Sequence, residues 1–130
     1  MATLKAEDFT LELNYVHYKT DKVYTVTISV SSLSYAGKIA FILYKYEYQG
    51  FVKDLTELYN SLKIGVAGIS DYEPDQNNLY FNSDGTGNFT ISGVFNNWGD
   101  WTLKFEKSFD QTYFRHFIKQ LNDELSELNK

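Results

Sequence analysis

"FVKDLTELYNSLKIG", residues 51–65, decides the fold, because the hydrophobic period changes inside it. Phe51, Leu55, Leu58, Tyr59 and Leu62 recur at three- and four-residue spacing, while Lys53, Asp54, Glu57 and Asn60 take the other side. That spacing draws one apolar stripe along a helix. Gly65 lies just past the last periodic residue, where the helix is expected to stop.

Outward from this helix the period is two on both sides. Upstream, Phe9, Leu11, Leu13 and Tyr15 alternate with Thr10, Glu12 and Asn14, which is the pattern of a half-buried strand. "KTDK" at 19–22 reads as a turn, Val23–Val30 as a second strand, and Ile39–Tyr48 as a third after Gly37. Downstream, strands are expected at Gly68–Glu73, Asn78–Asn82, Asn88–Phe95 and Trp101–Phe109. "SDGTG" at 83–87 carries an Asp-Gly hairpin signal, and "NNWGD" at 96–100 marks another turn. Helical spacing returns with Phe114, Phe117, Ile118, Leu121, Leu125 and Leu128, and Asp110 is placed to cap that segment. Pro74 cannot donate to a ladder, so its surroundings are an edge or a loop.

The order βββ-α-ββββ-α predicts an α+β fold: one domain over 1–130, with an antiparallel sheet of six or seven strands and two helices packed on one face. Internal repeats, linkers and low-complexity tracts are absent from the sequence. Aromatic residues reach 18%, with eleven Tyr and ten Phe, enough to fill a sheet core or to make a sticky surface. There is no cysteine, which removes disulfides, thiolate nucleophiles and Cys-based zinc sites. No basic and apolar leader opens the chain and the longest apolar stretch, Ile39–Tyr44, is strand-like. A soluble, cytoplasmic protein without membrane contact is the expectation.

Charge is distributed unevenly. The net charge of −5 arises entirely between residues 51 and 100, where Lys53 and Lys63 face Asp54, Glu57, Asp71, Glu73, Asp75, Asp84 and Asp100. Such a surface repels nucleic acid and attracts a basic protein.

Catalytic and metal chemistry finds little support. His17 and His116 are the two histidines, and nothing around them has zinc-ligand spacing. No G-x-S-x-G elbow presents a serine, and "GTG" at 85–87 leads into a strand, the wrong context for a dinucleotide loop. Asp71-x-Glu73-x-Asp75-x-Asn77 imitates half a calcium loop, but Gln76 and Asn82 stand where the turn glycine and the bidentate glutamate belong. As a glycosidase pair these neighbours lack a cleft and a protonated partner. A solvated acidic edge and a docking surface both remain open for them. Trp98, beside Gly99 and Asp100, is either an interface anchor or a ring folded over the sheet.

Two stretches together resemble a known family. "YEYQGFVKDLTELYNSLKIGVAGISDYE" (46–73) resembles the segment of WapI-type bacterial immunity proteins in which a helix leads through a Gly/Ala turn to an acidic strand. "LYFNSDGTGNFTISGVF" (79–95) and "LKFEKSFDQTYFRHFIKQL" (103–121) resemble that family's closing strands, its D-Q-T and its final helix. The resemblance implies an antitoxin, neither enzymatic nor cofactor-dependent. Such a protein blocks the C-terminal toxin domain, often a nuclease, of a large secreted polymorphic protein. It implies that Asp110, Gln111 and Thr112 match the family's motif, read here as a cap. The expected partner is then a basic toxin domain, with this chain a monomer or weak homodimer, and the candidate toxin-binding residues are Asp71, Glu73, Asp75, Asp84, Trp98 and Asp100. The alternative from another class is a small-molecule or glycan-binding module using an aromatic-rich sheet face.

Overall fold

The computed structural model describes residues 1–17, 23–71, 77–97 and 100–128. Four strands come first: β1 (Ala2–Ala6), β2 (Phe9–His17), β3 (Val23–Ser31) and β4 (Ala36–Tyr44). Helix α1 (Lys45–Ser61) follows, then β5 (Ile64–Ser70), β6 (Asn78–Asp84), β7 (Asn88–Asn96) and β8 (Thr102–Asp110). A 3-10 turn at Gln111–Tyr113 leads into α2 (Arg115–Leu128).

The α+β class, the antiparallel pairing and the two helices are as expected, but among the described residues the strands number eight and divide into two sheets of four, β1-β2-β3-β4 and β5-β6-β7-β8. Both inner faces explain the division, because each is predominantly apolar and one must cover the other. Phe9 on β2 lies 5.1 Å from Phe109 and 6.3 Å from Phe105 on β8, measured between ring centroids. Phe41 on β4 meets Phe95 on β7 at 5.9 Å. The sheets approach so closely there that a Cβ on Gly37 would come within 2.7 Å of Leu103 Cδ2. Where they diverge, the helices fill the gap: Phe81 on β6 touches Phe51 of α1 at 5.6 Å and Phe114 and Phe117, at the start of α2, at 6.1 Å each. The helices therefore pack between the sheets at their open end, where a single sheet would have carried them on one outer face.

Local chemistry moves three boundaries. The first strand was missed although Ala2, Leu4 and Ala6 alternate with Thr3 and Lys5, because five residues with two alanines on the apolar side give a weak hydrophobic signal. The strand expected at Ile39–Tyr48 ends at Tyr44, because the Glu47 carboxylate accepts from the Tyr44 N–H at 3.3 Å, half of a capping box that starts α1 at Lys45. The helix closes at Leu62, in the left-handed region with φ 53°, whose N–H donates to Leu58 O at 2.9 Å. Gly65 serves a different purpose from the expected stop. It lies within β5, and a Cβ there would meet Leu58 Cδ2 at 2.7 Å, so glycine lets α1 close on the strand.

Phe81 is fully buried at the junction of β6, α1 and α2. Phe81→Ala is expected to cost about 3–5 kcal/mol in urea unfolding, against under about 0.5 kcal/mol for Tyr46→Ala at a 70% exposed position.

Candidate functional site

Antiparallel register sorts the acidic residues by the two ends of the second sheet. Ser70, Asn78 and Val94 are successive neighbours at one end, so Asp71 and Asn97 lie at that same end. Ile64 and Asp84 pair at the other end, where Asn88 also meets Asp110. Strand β6 separates the two ends by about 20 Å at the ordinary rise per residue. Asp71 and Asp100 therefore belong to one end and Asp84 to the other, so these three described candidates do not form one patch. Glu73, Asp75 and Trp98 lie outside the described residues.

Asp71 is committed to the fold. Its Oδ1 accepts from the Ile42 N–H of β4 at 3.0 Å, and its Oδ2 accepts from Asn77 Nδ2 at 3.2 Å. Asn77, 6% exposed, uses its own Oδ1 to accept from the Asn96 N–H at 2.8 Å. This chain of bonds fastens the ends of β5, β6 and β7 to the border of the other sheet. Sequence reading missed Asn77. Its signal was its position, one residue before a strand, where a side-chain amide can serve neighbouring backbone groups.

Asp84 organises a hairpin. Its Oδ1 accepts from Thr86 Oγ1 and Thr86 N at 2.7 Å each and from Asn88 N at 3.3 Å, around Gly85 and Gly87 at φ 83° and 97°. Bonds from the Thr86 hydroxyl and N–H, then from Asn88, hold its carboxyl below the usual aspartate range. Asp100 is exposed, and its N–H donates to Asn97 O at 2.8 Å. Trp101, 36% exposed, turns its ring toward Gly37 of β4, so this indole is partly folded back.

The motif at 110–112 works as a cap. Asp110 Oδ1 accepts from Thr112 N at 2.8 Å, starting the 3-10 turn that leads to α2, and Gln111 N donates to Gly87 O at 2.8 Å. Its role is to seat the final helix on the β6–β7 hairpin.

The aromatic residues are mostly interior. Tyr15, Tyr24 and Tyr48 form a triangle with centroids about 6 Å apart, and Tyr24 and Tyr48 are buried. Burial, then the nearby Glu124 carboxylate, pushes the Tyr48 phenol far above its ordinary value, so it stays protonated. The outward faces of β3 and β7 carry Thr25, Thr27 and Ser29, and Thr90 and Ser92. Among the described residues, no group of three or more His, Asp or Glu is arranged to hold a metal ion, and His116 lies exposed on α2. No described helix is long and apolar enough to cross a membrane.

Comparison with known proteins adds one finding: a family model described as the immunity protein WapI-like family matches residues 4–129. No curated protein and no solved structure matches the chain.

Two measurements check these roles. Asp71→Ala strands the Ile42 N–H and the Asn77 amide, and is expected to cost about 1–3 kcal/mol in urea unfolding, partly recovered in Asp71→Asn, which keeps an acceptor. The Asp84 carboxyl is lowered in the folded state, so its contribution to the hairpin is complete above the unfolded aspartate value of about 3.9 and is lost as pH falls through the lower folded value. The Thr86 amide resonance should shift across that acidic window, and the shift should vanish in Asp84→Ala.

Proposed function

The chain belongs to the WapI-like immunity protein family, and from that premise we propose that it neutralises a cognate, basic, nuclease-type toxin domain by binding it. The toxin is the C-terminal domain of a secreted polymorphic protein, and the immunity protein meets it in the cytoplasm of the producing cell. No reaction and no cofactor are involved. The observation that carries the reading is the confinement of the whole net charge of −5 to residues 51–100, between two electrically balanced ends of a chain of this family. A toxin that cleaves nucleic acid presents cations where phosphates bind, and carboxylates can occupy those positions in their place. Opposite fields also speed encounter, which matters when a single free toxin molecule does damage.

The proposed contact includes Asp71 and Asp100, at one end of the second sheet, together with Glu73, Asp75 and Trp98, which are near them in sequence, and Asp84 reinforces the field from the other end. Asp71 carries one carboxylate on two duties, so it is a poor choice for mutagenesis. Glu73, Asp75 and Asp100 are better. Reversing these three to Lys is expected to weaken binding of the toxin domain about tenfold or more and to flatten its salt dependence, measured by calorimetry at two ionic strengths. Unchanged affinity in the triple variant removes these three carboxylates from the interface.

A further inference from the structure

A sheet protein must dispose of its edges, because each edge strand offers a row of unpaired backbone groups. The two described sheets have four. At β1 the Thr3 N–H donates to Gln120 Oε1 of α2 at 2.9 Å. At β4 the N–H groups of Ile42 and Tyr44 are met by the carboxylates of Asp71 and Glu47 at 3.0 and 3.3 Å, and Lys38 adds a charge. Strand β8 carries Lys104, Glu106 and Lys107. Strand β5, Ile-Gly-Val-Ala-Gly-Ile-Ser, has no charge and no proline.

The orientation of its backbone follows from one bond. Asp71 N donates to Asn77 O at 3.0 Å, in the same register as the β5–β6 ladder, so Asp71 and Asn77 form a hydrogen-bonded pair. Antiparallel alternation then turns Ile69, Ala67 and Gly65 toward β6, and Val66 and Gly68 toward the free edge. No described residue accepts from the Val66 or Gly68 N–H there. The side chains beside this edge are apolar and open: Ile64 is 82% exposed and Val66 58%. The Tyr80 ring lies across Gly68, where a Cβ would come within 2.2 Å of Cδ1, and extends the apolar surface to the border. A shallow groove of about 430 Å³ runs between β5 and α1, with Asp54, Glu57 and Lys63 in its walls, and Asp84 pairs with Ile64 at its end.

We propose that the β5 edge accepts an extended, basic segment of the toxin domain as a fifth strand of the second sheet. The proposal rests on the immunity reading above and deepens it by naming the contact. Main-chain bonds to Val66 and Gly68 supply the pairing, Ile64, Val66 and Tyr80 receive alternate apolar side chains, and the carboxylates select cations. Three carboxylates against one ammonium decide the occupant. A second copy of the chain would bring the same negative rim to both sides of the seam, whereas a basic strand is complementary to it.

The test uses the full chain and its cognate toxin domain. Hydrogen exchange of the complex should show new protection at the Val66 and Gly68 amides. Val66→Pro removes an outward N–H without removing a ladder bond, and Ile64→Lys places a like charge before a basic guest. Each is expected to weaken binding about 30-fold or more, with thermal melting confirming that the variants fold. If a variant does not fold, exchange on the wild-type complex decides alone. Tight wild-type binding with no protection at these amides overturns the edge and leaves the immunity reading standing. Absence of any wild-type binding overturns both. A wild-type dimer in sedimentation that Val66→Pro dissolves assigns the edge to a second copy and overturns the proposal.

Discussion

Among the described residues no hydrogen-bonded ladder joins the two sheets, so their mutual position depends on side chains packed between them. Phenylalanine carries most of that task on the second sheet, through Phe81, Phe89, Phe95, Phe105 and Phe109, all buried. The first sheet answers with smaller groups, among them Leu4, Leu11, Leu13, Val26 and Ile28, also buried. Large rings against smaller aliphatic residues fill the space without stacking rings on rings throughout. Among the described residues, direct polar links across the gap include Asp71 to the Ile42 N–H, and Lys107 to Asp8 at 3.6 Å. Register between the sheets is thus a matter of shape, with a few carboxylates fixing the rim.

The same asymmetry explains what could be read from the sequence. Period-two alternation located seven strands, and the change at Phe51 located α1, because both signals come from one element's own residues. The division into two sheets has no local signal. It arises because both inner faces are apolar, a fact about two surfaces meeting. Strand β1 was hidden by its alanines, and the start of α1 by Tyr46 and Tyr48, which suit a strand as well as a helix until Glu47 caps the turn. The chain is two successive ββββα units, yet no repeat shows in the sequence, since the halves fill equivalent inner positions with different residues.

Acidic residues were harder to interpret than apolar ones. A carboxylate looks the same in sequence whether it faces a partner or its own backbone. Asp71 and Asp84 proved to be engaged with N–H groups nearby, which settles their local duty without removing their charge from the surface field. Asp71 and Asp100 are brought to one end by the ladder, while Asp84 is carried to the other by the length of β6. Sequence distance gave no hint of this, because a meander returns every second connection to the same end.

The strand order of both sheets repeats the order of synthesis, each strand lying beside the one before it. Every pairing therefore closes across a turn or short connection, and the entropic cost of bringing distant segments together falls on the final docking of one half onto the other. A molecule assembled by such neighbourly steps can build each sheet from one continuous half of the chain before the halves meet.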